Sequence, residues 1–387
     1  VDGEPAHLHK GENHTKAVTL KTGDHRFVFA APGYYPTELD VHVPAKDSPL
    51  EVKLERRLAS LTPVTELHTG FQPKSVAFTP DGKFLLTALL GSTGVDLFST
   101  APFRKIKRIS FPDEIRRKAG FVEMAFLEDA GELWVSQMTT GLIHVIDMND
   151  FTYRESFPSG GVMPKVITVS RDQSRAFVSN WGSRTVGVID VESREVVKTI
   201  PIDGIPRGMA VTGEDRYLYV GNYTTGGIEK IDLEILEVVK TLRFPRRGAM
   251  RHLVYDPERH LLYGSDILRG SILVLSTEDD RLLAEVPVDQ KLNTIRLSPD
   301  GRFLFISSRG PNHPVTYLRK GFVFGKVYMM DTHSFDLRVW VWGGNQPTGL
   351  DVSPDGRFLV FSDFLDSRLE VYETNLRIRR LLTRKGI

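Results

Sequence analysis

Cysteine is absent from all 387 residues, which removes disulfides, thiolate metal ligands and cysteine nucleophiles together. The compartment stays open on that ground, because periplasmic and cytosolic proteins alike can lack cysteine. Charge of one sign is lacking too: 50 Lys and Arg stand against 49 Asp and Glu, for a net charge of +1. The basic balance of a dedicated nucleic-acid binder is therefore missing. No window approaches the roughly 18 uninterrupted apolar residues of a membrane-spanning helix. There is no Gly-rich phosphate loop, no zinc-helix pair of histidines and no Gly-x-Ser-x-Gly elbow, so no catalytic residue, metal ligand or cofactor is assigned. The opening Val1-Asp2-Gly3 has neither an initiator Met nor a signal peptide; the expectation is a mature or trimmed form, compatible with a leader or lipid anchor outside it.

What the chain does have is a repeat. An apolar strand, a turn, an aromatic-rich strand, a polar loop, a strand ending in Ile-Asp and a charged, β-branched strand recur. Pro164 to Val169 with Ala176 to Asn180, Val188-Ile189-Asp190 and Val196 to Ile200 is followed by Pro206 to Val211 with Tyr217 to Asn222, Lys230-Ile231-Asp232 and Val238 to Leu242. The last apolar residue of each first strand falls at Phe78, Phe126, Val169, Val211, Tyr255, Leu297 and Val352, at spacings of about 48, 43, 42, 44, 42 and 55 residues. That is the period of a four-stranded propeller blade, and seven markers predict seven blades. Turns at Pro80-Asp81-Gly82, Pro299-Asp300-Gly301 and Pro354-Asp355-Gly356 set the hairpin register, since Pro fixes φ and Gly tolerates positive φ. Closing the ring lets neighbouring blades bury the faces a single sheet cannot. Outer-strand segments occur both at Val64 to His68 and at Ile378 to Thr383, one more than seven blades need; a C-terminal hairpin is preferred over closure by the N-terminal strand.

The segments Phe177-Val178-Ser179-Asn180, Tyr219-Val220-Gly221-Asn222 and Trp134-Val135-Ser136-Gln137, with the Ile-Asp endings and Val-Lys-Thr-Ile runs, resemble the YVTN repeats of YncE-like β-propellers over roughly residues 64 to 387. The resemblance implies the propeller fold and a periplasmic or bacterial cell-surface location, because members of that family are generally exported. It implies little about activity.

Residues 1 to 58 stand outside the repeat, and the propeller is assigned to 59 to 387. Alternation around Val18 and Leu20, the run Phe27-Val28-Phe29-Ala30 and the alternation Leu39, Val41, Val43 predict a small β-sandwich. Thr22-Gly23-Asp24-His25, Ala31-Pro32-Gly33-Tyr34 and Leu50 to Leu54 resemble a PEGA-type surface domain, although the Pro-Glu-Gly-Ala tetrapeptide is missing. The fold class expected is thus all-β, a seven-bladed propeller preceded by a small sandwich. His7, His9 and His14 are read as solvated, having no carboxylate or thiolate at ligand spacing.

In a propeller the position opening each inner strand and the loop after the second strand face one end of the channel. The opening column reads Lys74, Val122, Lys165, Arg207, Arg251, Asn293 and Thr348, four of seven basic, with His252 beside Arg251. Such a ring would focus positive potential in a nearly neutral chain. The second column pairs polar heads with large side chains, among them Asn180-Trp181 and Asn222-Tyr223, a composition suited to recognition; equally, Asn and Asp favour turns for backbone reasons. An insertion in blade six, about 309 to 325, brings Arg309, His313, Tyr317, Arg319 and Lys320 to the same face. Candidate carboxylates are Glu123, Asp266 and Asp363, while Arg246-Arg247 and Arg379-Arg380 read as solvated strand-end charges.

The expected function is therefore non-enzymatic: a binding or scaffold propeller holding an anionic small molecule or an acidic protein partner at the mouth. The alternative is a lactonase-like propeller hydrolase acting on a sugar lactone, with Glu123, Arg251 and His252 at the mouth. Nucleic-acid binding is the least favoured, as the charge is balanced.

Overall fold

The computed structural model describes residues 9–10, 16–17, 23–29, 37–43, 61–116 and 118–374. The chain divides into two compact units after Ser60. In the first, His9–Lys10 pairs with Lys16–Ala17 and Gly23–Phe29 pairs antiparallel with Thr37–Val43. The remainder of the expected sandwich, with His7 and His14, lies outside the described residues.

The second unit is seven antiparallel four-stranded sheets in sequence order. Inner strands are Pro73–Phe78, Phe121–Leu127, Pro164–Val169, Pro206–Thr212, Met250–Asp256, Leu292–Leu297 and Pro347–Val352. The expected blade count and all seven inner strands are thus present. Alternating side chains of adjacent blades interlock as apolar clusters; Phe177, Val188, Leu218 and Val220 join blades three and four, and Tyr263, Val274, Leu304 and Ile306 join five and six. The second strand Arg175–Asn180 is buried at five of six positions, whereas the outer strand Val196–Pro201 of the same blade is exposed at four of six. That gradient follows from the geometry of a closed ring, whose rim alone meets solvent.

Closure corrects one expectation. The outer strand of blade seven is Thr62–His68, paired antiparallel with Arg368–Glu373 from His68↔Arg368 to Thr62↔Glu373. The C-terminal candidate, Ile378 to Thr383, lies outside the described residues. Thr62–His68 fits a rim strand because it buries only Leu67, which packs with Phe78, Phe98 and Leu369 across the seam between blades seven and one. Arg368 Nη1 also meets Glu66 Oε2 at 3.0 Å. The ring is sealed by strands about 300 residues apart, so its last seam carries the largest loop-closure cost.

Local chemistry sets the hairpins. In blade one Thr79 Oγ1 donates to Asp81 Oδ1 at 2.6 Å, Asp81 Oδ1 accepts from Lys83 N at 3.1 Å, and Gly82 sits at φ 71°. Gly301 and Gly356 repeat the left-handed turn at φ 66° and 71°. A side chain there would meet the αL penalty that glycine avoids.

Candidate functional site at the channel mouth

Each inner strand begins with a β-bulge; the register slips between Pro164 and Ile167, Pro206 and Met209, and Met250 and His252, for example. A bulge leaves residues out of the ladder and re-aims their side chains. In four blades the preceding residue is also left-handed without being glycine: Gln72, Met163, Lys291 and Gln346, at φ 57°, 58°, 56° and 62°. The same distortion is thus made repeatedly at the point where the chain enters the channel, despite its local cost.

The bulges are held by buried hydroxyls. Ser136 Oγ accepts from Glu123 N at 3.2 Å and donates to Lys165 O of the next blade at 2.7 Å. Ser307 accepts from Thr294 N at 3.0 Å and donates to Thr348 O at 3.1 Å, and Ser265 donates to Asn293 O at 2.6 Å. The serine before the end of the second strand therefore ties the opening residue of one blade to its neighbour. Sequence reasoning quoted this serine in the Val-Ser pairs but gave it no role.

The opening cations do converge. Lys165, Arg207 and Arg251 are 8%, 3% and 4% exposed, while Lys74, His252 and Arg309 are half-buried. Arg251, Arg309, Arg207 and Lys165 all act on Lys74; burial first, then those charges, hold its ammonium well below the usual lysine range. Lys165 is brought down to about 7, by burial and then by Arg207 and Arg251, against a small opposing pull from Glu123. Burial lowers Arg207 and Arg251 as well, and brings Arg309 down to about 10. His252 is pushed well below the ordinary imidazole range by burial and then by Arg251, so it is neutral at pH 7.

Three of these cations rest on a large side chain of the preceding blade. Lys74 Nζ lies 5.0 Å from the Phe364 ring centre, Arg207 lies 5.7 Å from Trp181, and Lys165 Nζ is 3.0 Å from Met138 Sδ. Lys165 also sits 5.5 Å from its own blade's Trp181, whose ring packs 4.9 Å from Tyr223. Rings give a cation partial compensation without neutralising it. Glu123 Oε1, 3.9 Å from Arg207 Nη2, is the carboxylate that faces the cluster. Arg207 Nη1, Arg251 Nη1 and Arg309 Nε are buried with no hydrogen-bond partner.

The remaining candidates separate into other roles. Asn180 exchanges hydrogen bonds with Ser159, its Nδ2 donating to Ser159 O at 3.2 Å. Asn222 accepts from Thr224 N and Thr225 N at 2.9 and 3.1 Å and donates to Asp203 O at 2.5 Å. Both amides are taken up by buried turns, so the column that sequence offered for recognition is a set of turn anchors whose following rings, Trp181 and Tyr223, reach the mouth. Asp266 accepts from Ala249 N, Leu268 N and Arg269 N, and Asp363 from Gly344 N, in the same manner. Arg246 is exposed as expected; Arg379 and Arg380 lie outside the described residues.

The blade-six insertion is fastened to blade seven. Gln346 accepts from Arg309 Nη2 and donates to Tyr317 O at 2.6 Å, Gly321 N donates to Asn345 Oδ1 at 2.7 Å, and Lys320 pairs with Asp366 at 2.7 Å. Arg309 stacks 5.4 Å from Tyr317. His313 stays within the insertion, accepting from Val315 N at 3.1 Å and lying 5.8 Å from the Phe322 ring, apart from the cation cluster. Three residues deeper along the inner strands, Arg296 Nε donates to Asp351 Oδ1 at 2.7 Å, and Asp351 Oδ2 accepts from Phe78 N at 2.8 Å. Sequence reasoning missed this pair, since neither residue falls in the opening column.

Comparison with known proteins agrees with this architecture. Residues 46–212 match the family model described as YNCE-like beta-propeller, and residues 228–384 match that of a seven-bladed lactonase propeller. Antigen Lp49 of Leptospira interrogans is 35% identical over 350 residues, covering 89% of this chain and 76% of that protein. A Bacillus subtilis protein, YwhL, is 35% identical over 136 residues, 35% of this chain and 29% of its own length. Among solved structures, Kuenenia stuttgartiensis hydrazine synthase superposes with a TM-score of 0.68 at 17% identity, over 80% of this chain and 97% of that one, a likeness of fold. The chain belongs to the family of antigen Lp49, as a YncE-like seven-bladed β-propeller.

Proposed function

We propose that the protein is a non-enzymatic binding propeller whose channel mouth holds an anionic ligand or the acidic group of a partner. One observation carries this: guanidinium nitrogens from blades four, five and six are buried without partners, and among the described residues Glu123 is the carboxylate beside them. Uncompensated buried charge disfavours the folded state, and a ligand that supplies the counter-charge stabilises it in proportion to its occupancy. Reversing two of the charges, Lys165→Glu with Arg207→Glu, is expected to abolish saturable binding of citrate and of poly-glutamate in titration calorimetry at low salt. Undiminished binding by a variant that still melts cooperatively would contradict the reading.

The match of residues 228–384 to the lactonase model favours a second reading, hydrolysis of a sugar lactone by Glu123, Arg251 and His252. The surplus of cations at the mouth suits holding charge better than moving a proton, which leaves hydrolysis second. Turnover of a sugar-lactone panel, with and without divalent metal, would reverse that order. We also place the protein in the periplasm or at the bacterial surface, with residues 1–58 as a PEGA-like spacer; the family resemblance supports this, and fractionation of cells making the full-length protein tests it.

A further inference from the structure

We infer that the occupant of the mouth is a small polyanion, a molecule bearing at least two acidic groups on neighbouring atoms, such as pyrophosphate, a phosphate ester or a di- or tricarboxylate. The inference rests on the binding reading above and sharpens it in two respects, valence and size.

Valence follows from the charges that cannot leave. A buried lysine can shed its proton, and Lys74 and Lys165 are already poised to do so. A guanidinium stays charged at neutral pH. Arg207, Arg251 and Arg309 act on one another and on Lys74, and Glu123 is the carboxylate that faces them. Three fixed positive charges against one negative leave a surplus of two. Arg296 adds nothing to it, being matched by Asp351 at 2.7 Å. A monoanion would leave one buried charge uncompensated, whereas a dianion balances the set.

Size follows from access. Arg207 and Arg251 are 3% and 4% exposed, with Arg207 against the Trp181 ring, so a protein face meets chiefly the half-buried Lys74 and Arg309. The unpartnered donors come from three successive blades. One small molecule with two acidic groups can offer acceptor oxygens to all three and carry both negative charges at once, where an isolated aspartate or glutamate side chain carries one.

The test compares acetate, inorganic phosphate, pyrophosphate, citrate and poly-glutamate on the full chain by titration calorimetry at fixed ionic strength. Pyrophosphate or citrate is expected to bind about a hundredfold more tightly than acetate, from one or two additional charge-assisted contacts. Arg251→Gln should shrink that ratio to about tenfold or less. Equal affinity for acetate and citrate would overturn the valence argument and leave the binding reading intact. Capture of poly-glutamate without any of the small anions would overturn the size argument and likewise spare the reading. No saturable binding by any of the five would overturn both. Should Arg251→Gln fail to fold, Lys74→Met at the half-buried rim serves as the second variant, with a smaller loss of the same ratio.

Discussion

The seam between blades four and five and the channel mouth both bury cations, and they treat them in opposite ways. At the seam between blades four and five, Lys230 is 9% and Asp280 8% exposed in their side chains, and Asp280 meets Lys230 at 3.0 Å, Lys240 at 2.9 Å and the Tyr219 hydroxyl. The buried Lys230 there has its counter-charge, which it shares with the solvent-exposed Lys240. At the mouth, Arg207 and Arg251 are as deeply buried and carry unpartnered nitrogens. The same chain thus supplies a carboxylate where a cation serves cohesion and withholds it where the channel opens. Breaking a satisfied buried pair is costly, while removing an unsatisfied charge is not; the two regions should respond to mutation with opposite signs.

The largest effect is expected at the seam. Asp280→Ala strands Lys230 and should destabilise the protein by about 3–5 kcal/mol, read as a shift of the denaturant midpoint; a loss under about 1 kcal/mol would mean the seam network is not cohesive. At the mouth the sign inverts: Arg251→Met should leave the ligand-free protein unchanged or about 1–2 kcal/mol more stable, and marked destabilisation would show that Arg251 is already compensated. The smallest effect is in pH. Lys165 is brought down to about 7 by burial and its cationic neighbours, from an ordinary 10.5. Between those values the unfolded chain holds a proton that the native one lacks, so stability rises with pH across that window. Wild type should therefore gain up to about 1 kcal/mol per pH unit relative to Lys165→Met; parallel pH curves would contradict a depressed Lys165. Bound anion favours the protonated lysine, so affinity should fall as pH rises through 7.

Much of this was legible in the chain because a repeat turns sequence into columns. The period sets the blades, Pro-Asp-Gly sets the turns, and the opening column puts Lys74, Lys165, Arg207 and Arg251 at one end of the channel. Ring closure was not legible: two segments fit one rim position, and nothing local to either says which reaches Arg368–Glu373. Sequence left a recognition and a turn reading open for Asn180 and Asn222 for a related reason, since their partners, Ser159 and the Asp203 carbonyl, lie about twenty residues upstream and arrive only when the blade folds. The Arg296–Asp351 pair spans 55 residues and two blades, a distance at which charge pairing has no sequence signature.

The most direct measurement is an experimental density map of the channel mouth in crystals grown with pyrophosphate or citrate. A polyanion bridging the guanidinium groups of Arg207 and Arg251, with Trp181 at its edge, is the predicted result. An anion-free mouth in which those two guanidinium groups pair with carboxylates of the protein itself would contradict the account.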